Sequence, residues 1–214
     1  MPVCILDEDY WIGHAINEYF FYAHFEFELD SYNKNRAFPN ACVVGNTAEQ
    51  FYVEFMPISR NFLPKAMRIG SLGLHCLQKR KMISFYNPES KLFHPEYVLD
   101  VLEEEGTSPE QAMADYAAWV ERVTEGYRPV EAAAPIKFDG MFTTWYFDNF
   151  LGRNPFGHSG EDMSSFYRGV MRNVKARLHD IGVKDVRKQP HNALDDAVQQ
   201  AKEFEKILTM LRRG

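Results

Sequence analysis

Two glutamates spaced two residues apart are the first candidates for chemistry in this chain. Glu26 and Glu28 lie in an aromatic segment, residues 19–28, which lacks glycine and proline and is typical of a β-strand. Because side chains alternate along a strand, both carboxylates point to the same face. Two like charges so close repel each other, and a divalent metal between them removes that penalty. The alternative interpretation is an exposed edge strand with ordinary polar alternation.

A third carboxylate follows a short apolar segment. Asp139 lies in the sequence KFDGMF, after the strand predicted at residues 129–134 and before the helix predicted at residues 141–151. Functional sites of open α/β sheets collect at the carboxyl ends of the strands, so this position suits a metal-binding acid. The alternative interpretation is an aspartate that only caps the helix.

A histidine and two aspartates open the last predicted helix, residues 193–211. His191 lies at the mouth of this helix and Asp196 lies one turn inside it. A base held beside a metal-ligating carboxylate suits the activation of a water molecule. If Asn192 is the N-cap, Asp195 is the third helical residue and its charge favours the helix dipole. Asp196, not Asp195, is therefore the candidate ligand, and the alternative is an ordinary acidic helix start.

The elements predicted around these residues begin with strands and continue with helices. Residues 57–94 have no clear period, and Gly45-Asn46 suits a hairpin turn. The predicted elements are strands at residues 19–28, 41–44 and 50–56, a helix capped by Ser108 and stopped by Gly126, a strand at 129–134, a helix at 141–151, a loop at 152–160, and helices at 163–178 and 193–211. This order predicts an α/β fold with a mixed sheet flanked by helices. We expect residues 1–18 to be an N-terminal extension and residues 19–214 to be one domain.

Taken in this order, the three motifs resemble the DEDDh 3′–5′ exonuclease family. This family belongs to the ribonuclease-H-like superfamily and includes ribonuclease T, oligoribonuclease and polymerase proofreading subunits. Its pattern is acid-x-acid on a strand, Phe-Asp before a helix, and His-x-x-x-x-Asp opening a C-terminal helix. In this chain the corresponding segments are Glu26-Phe27-Glu28, Phe138-Asp139 and His191 through Asp196. The similarity runs from about residue 19 to residue 211, and residues 138–167, with their GRNPFG loop, also resemble a bacterial branch of the family.

The resemblance implies a ribonuclease-H-like fold and hydrolysis of the terminal phosphodiester bond at the 3′ end of DNA or RNA. It implies that Glu26, Glu28, Asp139 and Asp196 hold two Mg²⁺ or Mn²⁺ ions, and that His191 accepts the proton of the attacking water. It also implies single-stranded or 3′-overhanging nucleic acid as the partner. A ring-shaped homodimer is common among such ribonucleases, so a homodimer is a further option that the resemblance offers.

The first motif departs from the family pattern, which is usually Asp-x-Glu, because the predicted first strand contains no aspartate. Two registers are open, Glu26 with Glu28 or His24 with Glu26. The first supplies two carboxylates, whereas the second places an imidazole where a hard cation requires oxygen. Glutamate is one methylene longer than aspartate, and a shift of about 1 Å in a catalytic site lowers the rate strongly. The alternative function is therefore a weakened or inactive module with the same fold that binds nucleic-acid ends.

Composition excludes several other classes of protein. An aromatic content of 14% is too high for a disordered chain, and a formal net charge of −6 argues against a general nucleic-acid coater. No apolar run approaches the roughly 18 residues that a membrane helix needs, and the first residues do not resemble a signal peptide. Cys4, Cys42 and Cys76 form no C-x-x-C pair, which argues against a disulfide framework or a structural zinc site. We therefore expect a cytoplasmic protein without a membrane partner.

Basic residues lead towards the last motif and are candidates for holding phosphates. They are Arg168, Arg172, Lys175, Arg187 and Lys188. The alternative for this stretch is a solvated helix face. Phe142, Trp145 and Tyr146 have a spacing that favours the core over base stacking, although rings of this kind can also stack a terminal base. In the family that the chain resembles, the position of Asp162 is usually a structural one or one that supports the metal ligands, so Asp162 is left out of the predicted ligands. We interpret His158 as a surface histidine.

Overall fold

The computed structural model of the protein describes residues 18–22, 40–44, 50–124, 128–185 and 192–213. Within these ranges the chain forms five strands and seven α-helices, and a 3₁₀ helix covers Leu178–Ile181. The strands are β1 (Glu18–Tyr22), β2 (Asn40–Val44), β3 (Gln50–Glu54), β4 (Arg128–Ala133) and β5 (Gly160–Asp162). The helices are α1 (Pro64–Gly70), α2 (His75–Gln78), α3 (Pro95–Glu105), α4 (Pro109–Thr124), α5 (Ile136–Phe150), α6 (Met163–Val170) and α7 (Ala193–Arg213).

The strands combine parallel and antiparallel pairing. β4 lies between β1 and β5 and runs parallel to both, with Tyr22 opposite Ala132 in the β1–β4 register. β2 and β3 form an antiparallel pair, as predicted, while the turn predicted at Gly45-Asn46 lies outside the described residues. β2 contacts β1 and packs against α7. Among the described residues the strands form two sheets, the parallel β1-β4-β5 sheet and the antiparallel β2-β3 pair. The predicted α/β fold, consistent with a ribonuclease-H-like fold, is confirmed.

The two faces of β4 meet different helices. Val130 and Ala132 belong to the apolar cluster that α6 and α7 form with the 3₁₀ helix. Because side chains alternate along a strand, Glu131 points the other way, where it faces Asp139 and Thr143 of α5. Gly160 allows β5 and α5 to pack closely, because a Cβ at this position would lie only 2.7 Å from Cγ1 of Ile136. β4 therefore sits between α5 on one face and α6 with α7 on the other.

Two further apolar clusters complete the described part of the molecule. One joins α4 and α5 with Phe55 and Phe156, and it includes the fully buried Tyr146 with Phe142 and Trp145 packed at its edge. The predicted core role of these three aromatic residues is confirmed. The other cluster lies in residues 62–102, where α1, α2 and α3 surround Leu74 and Leu77. The region without a clear sequence period is therefore a set of short helices with its own apolar centre.

Two predicted helix boundaries are wrong. α5 begins at Ile136, five residues before the predicted start, so Asp139 lies inside the first turn and not before the helix. The helix predicted at residues 163–178 ends at Val170, because the backbone turns at Arg172, whose φ is 49°. The side chain of Asn173 then accepts a hydrogen bond from the backbone N–H of Lys175, and such local bonds compete with helix continuation.

Candidate active site

Asp139 is a buried acid near the start of α5. The helix follows directly on β4, its N-cap position is Pro135, and Asp139 occupies the first turn. Only 1% of its surface is exposed, which is unusual for a carboxylate without a structural or chemical role. The interpretation of Asp139 as the helix N-cap is excluded, because the capping position lies four residues earlier.

Glu131 is a second buried acid beside Asp139, and the sequence analysis missed it. It is 4% exposed, and burial raises its pKa to about 8, with the charge of Asp139 acting in the same direction. The nearby Thr143 hydroxyl opposes this shift, although the two groups do not meet at hydrogen-bond geometry. Among the described residues, Oε1 of Glu131 has no hydrogen-bond partner. The only sequence signal was one glutamate inside the apolar run of β4.

Asp196 lies in the first turn of α7, and the predicted start of this helix is confirmed. Oδ1 of Asn192 accepts a hydrogen bond from the backbone N–H of Asp195 at 3.0 Å, so Asn192 is the N-cap and Asp195 is the third helical residue. Asp196 is 9% exposed and is therefore the more deeply buried of the two neighbouring aspartates. Its buried position fits a ligand, whereas the position of Asp195 fits a favourable interaction with the helix dipole.

One long-range hydrogen bond joins α7 to the residue after β4, and another joins the start of α5, which follows β4 directly, to the end of β5. Oε1 of Gln200, one turn after Asp196, accepts a hydrogen bond from the backbone N–H of Ala134 at 3.0 Å. Oδ2 of Asp162 accepts one from the backbone N–H of Ile136 at 3.3 Å, while its Oδ1 caps α6 through Ser165. The structural role predicted for Asp162 is confirmed. The helices that carry Asp139 and Asp196 therefore both lie at the carboxyl end of β4, α5 because it follows β4 directly and α7 because Gln200 is bonded to Ala134.

A corner formed by residues 73–76 lies against the start of α7. The carboxylate of Glu54, at the end of β3, accepts hydrogen bonds from the backbone N–H groups of His75 and Cys76 and from the Tyr52 hydroxyl. The rings of His75 and Tyr52 pack with their centroids 4.3 Å apart. The side-chain N–H of Asn192 donates to the carbonyl of Gly73 at 2.8 Å, which joins this corner to α7. No sequence pattern predicted this contact between segments so far apart in the chain.

The remaining predicted site residues lie outside the described ranges. They are Glu26, Glu28, the alternative residue His24, His191, Arg187 and Lys188. The segment that carries the glutamate pair follows β1, whose last residue lies opposite Ala132 near the carboxyl end of β4. Among the described residues, no three His, Cys, Asp or Glu side chains lie close enough to hold a metal ion. A metal centre built on Asp139 and Asp196 therefore needs ligands from beyond these ranges.

Three of the predicted phosphate-binding residues lie in the described ranges, and all three face solvent. Arg168 lies in α6, and Arg172 and Lys175 lie in the loop that follows it, all with exposed side chains. They are therefore accessible to a phosphate backbone, although two of them lie outside the helix on which they were predicted. His158 is exposed, as predicted, and contacts the Ser159 hydroxyl. In the ranges that the structure describes, no helix is long and apolar enough to span a bilayer.

Comparison with known proteins agrees with the motifs. No protein-family model matches the chain. Over 172 residues the chain is 30% identical to the 3′–5′ DNA exonuclease Cap18 of Escherichia coli, and the match covers 78% of this chain and 79% of that protein. This similarity supports a nuclease that acts on nucleic acid. The chain belongs to the 3′–5′ exonuclease family.

Proposed function

We propose that the protein is a metal-dependent exonuclease of the DEDDh type that removes nucleotides from the 3′ end of DNA. The observation that carries this proposal is the burial of two acids, Asp139 and Asp196. Each lies in the first turn of a helix, and both helices lie at the carboxyl end of β4. DNA is the proposed substrate because the similar Escherichia coli protein is named a DNA exonuclease. The ordered Glu-x-Glu, Phe-Asp and His-x-x-x-x-Asp motifs support the same activity.

The donor chemistry of the site fits divalent cations. Carboxylate oxygens are the ligands that Mg²⁺ and Mn²⁺ prefer, and buried carboxylates are stable when a cation balances their charge. Asp139 lies close enough to Glu131 to raise its pKa, so two buried carboxyl groups lie side by side at the start of α5. Glu26, Glu28, Asp139 and Asp196 would hold the two ions. Bound ions of this kind lower the pKa of a water molecule and stabilise negative charge on a leaving oxygen.

The protein's own residues would supply the proton transfer and the placement of the substrate. His191 precedes the N-cap of α7 and would accept a proton from the water whose oxygen attacks the terminal phosphorus. The bond from phosphorus to the 3′ oxygen breaks, the 3′ oxygen takes a proton, and a nucleoside 5′-monophosphate leaves. The exposed Arg168, Arg172 and Lys175, with Arg187 and Lys188, would contact phosphates further along the strand. A homodimer stays a prediction from the family resemblance.

The direct test is digestion of a 5′-labelled single-stranded DNA oligonucleotide with Mg²⁺ or Mn²⁺. We expect a ladder that shortens from the 3′ end, that disappears with EDTA, and that is weaker on an RNA oligonucleotide of the same sequence. A DNA with a blocked 3′ end is the matched control and should remain intact. Binding of the oligonucleotide without a ladder in either metal would contradict the proposal and favour an inactive module that binds nucleic-acid ends.

The register of the first motif needs its own pair of variants. With Glu26 and Glu28 as ligands, Glu28→Gln should weaken Mn²⁺ binding and activity sharply, whereas His24→Ala should leave Mn²⁺ binding nearly intact. The opposite ranking would assign the site to His24 and Glu26, and a nitrogen ligand would then favour Mn²⁺ over Mg²⁺. If neither substitution changes Mn²⁺ binding, the strand is not a metal site.

A further inference from the structure

Asn192 is more than a helix cap, because its side chain makes contacts in two directions. Its Oδ1 accepts the hydrogen bond from Asp195 that caps α7. Its Nδ2 donates to the Gly73 carbonyl at 2.8 Å and lies 3.4 Å from Nε2 of His75. The residue is 3% exposed, so each of these bonds replaces a bond to water that burial has removed.

The side-chain chemistry at this position is demanding. The cap requires an acceptor, and the Gly73 carbonyl requires a donor. An asparagine amide supplies both, whereas aspartate offers only acceptors when ionised, and the single hydroxyl of serine is too short to reach in both directions. Serine and aspartate are as good as asparagine at capping a helix, so capping alone does not explain the amide.

The partner of this amide is itself fixed in place. Glu54 holds the corner of residues 73–76 through the backbone N–H groups of His75 and Cys76. Hydrogen bonds therefore join the end of β3 to the corner, and the corner to the N-cap of α7. The first part of α7 is thereby held on one side by this corner and on the other by the hydrogen bond that Gln200 of α7 accepts from Ala134, the residue after β4.

We propose that Asn192 is a positioning residue that fixes the first turn of α7, and with it the Asp196 carboxylate, against the corner of residues 73–76. This inference rests on the proposed function in that it takes Asp196 as a metal ligand. Groups that orient metal ligands typically contribute about 10- to 100-fold to metal affinity or rate. The side-chain amide of Asn192 therefore acts on the metal centre through α7, without contacting the metal.

The test compares Asn192→Ser, which keeps a capping oxygen but loses the donor to Gly73, with the wild-type protein. We expect the Mn²⁺ dissociation constant measured by calorimetry to rise about tenfold, and kcat to fall by a similar or larger factor while KM for DNA changes less than about twofold. Ser108→Ala is the matched control, since Ser108 caps α4 through Gln111 and its loss removes a cap elsewhere. That control should lose stability but retain its Mn²⁺ affinity.

Hydrogen exchange of the metal-free protein supplies a measurement that does not depend on catalysis. In Asn192→Ser, the amides of residues 193–197 and of residues 73–76 should exchange faster together, because the bond joining them is lost while the cap remains. If Asn192→Ser fails to fold, Glu54→Gln loosens the same corner from its other side and should produce the same joint change. Wild-type exchange at both segments, or wild-type Mn²⁺ affinity in a folded Asn192→Ser, would overturn the inference. Failure of the wild-type protein to bind Mn²⁺ would instead refute the proposed function, and exchange would still decide the role of Asn192.

Discussion

Asp139 and Asp196 each lie in the first turn of a helix, but the two helices begin in different ways. α7 carries its own cap, Asn192, and the amide of that cap also reaches the Gly73 carbonyl. α5 begins at Ile136, its N-cap position is Pro135, and no side chain caps it. Its first N–H, that of Ile136, donates to Asp162, which lies 26 positions along the chain. The two buried acids are thus positioned by a local cap in one case and by a residue distant in the sequence in the other.

The surroundings of the two acids also differ in charge. Asp139 lies beside the buried Glu131, whose pKa is raised by burial and by Asp139 itself, whereas Asp196 follows the half-buried Asp195. Removing the charge of either acid should affect catalysis, but among the described residues a second deeply buried strand acid, Glu131, lies only on the α5 side.

The largest effect is expected from Asp139→Asn. The substitution removes a proposed metal ligand with little change in shape, so nuclease activity on end-labelled DNA should fall by at least about 1,000-fold. Circular dichroism and the thermal midpoint should show a folded protein. A folded variant that digests DNA at the wild-type rate would remove Asp139 from the site and leave α7 as the only helix of the pair with a catalytic role.

The neighbouring aspartates of α7 should behave differently from each other. Asp196→Asn should abolish Mn²⁺-dependent cleavage, because it removes a charged ligand. Asp195→Asn should retain cleavage and lose at most about 1 kcal/mol of unfolding free energy, because it removes only a favourable charge at the helix start. Kinetics and urea denaturation of both variants measure this ranking. The reverse ranking would mean that the ligand lies on the other face of α7.

Glu131→Gln should change how the stability of the metal-free protein depends on pH. The pKa of Glu131 is raised to about 8 in the folded state from an ordinary value of 4.5, so the folded state holds this proton more tightly than the unfolded state does. Its contribution to stability is therefore complete below about pH 4.5 and is lost as the pH rises towards 8. Glutamine does not titrate, so the variant should be more stable than wild type by up to about 3 kcal/mol at pH 7.

Urea denaturation in EDTA between pH 5 and pH 8 measures that difference. Glu205→Gln, on an exposed position of α7, is the matched control and should follow the wild-type curve. If the unfolding free energies of wild type and Glu131→Gln change with pH in parallel across this range, burial does not raise the pKa of Glu131. The surroundings of Asp139 would then differ less in charge from those of Asp196 than the raised pKa of Glu131 indicates.

Substitution of Asp162 is expected to act mainly on stability. Asp162→Ala removes the cap of α6 and the partner of the first N–H of α5, so we expect a loss of about 1–2 kcal/mol in unfolding free energy. Asp162→Asn keeps one acceptor oxygen and should lose less. Activity should fall modestly in both variants, in proportion to the loosening of α5. Equal stability of Asp162→Ala and wild type would contradict the idea that α5 depends on a distant residue for its start.

The same contrast explains what the sequence could and could not predict. The start of α7 was predicted correctly because its signal is local: a capping asparagine followed by a long apolar period. The start of α5 was misplaced because Asp162, which supports it, gives no signal near Ile136. The motif predicts Asp139 as a site residue, but its burial and its proximity to Glu131 depend on how β4 and α5 pack.

Other differences have the same origin in tertiary contacts. The helix predicted at residues 163–178 ends early because Asn173 forms a local turn that its apolar spacing does not reveal. Residues 57–94 lack a period because their apolar side chains come from short helices and turns that share one cluster. The role of Asn192 in joining Gly73 to α7 could not be predicted, since nothing in the sequence specifies which carbonyl a buried amide will meet.

The parallel pairing of β1 with β4 also determines the order in which the protein is completed. Glu18 pairs with Arg128, so the first described strand has its partner more than a hundred residues later in the chain, and Asp196 follows later still. Contacts between such distant segments are made slowly and late, because a long loop must close before they form. During synthesis, Glu26 and Glu28 therefore leave the ribosome long before the segments that carry Asp139 and Asp196. The proposed metal site, which includes Asp196, can therefore be completed only near the end of synthesis, when α7 is free to pack against β2 and β4.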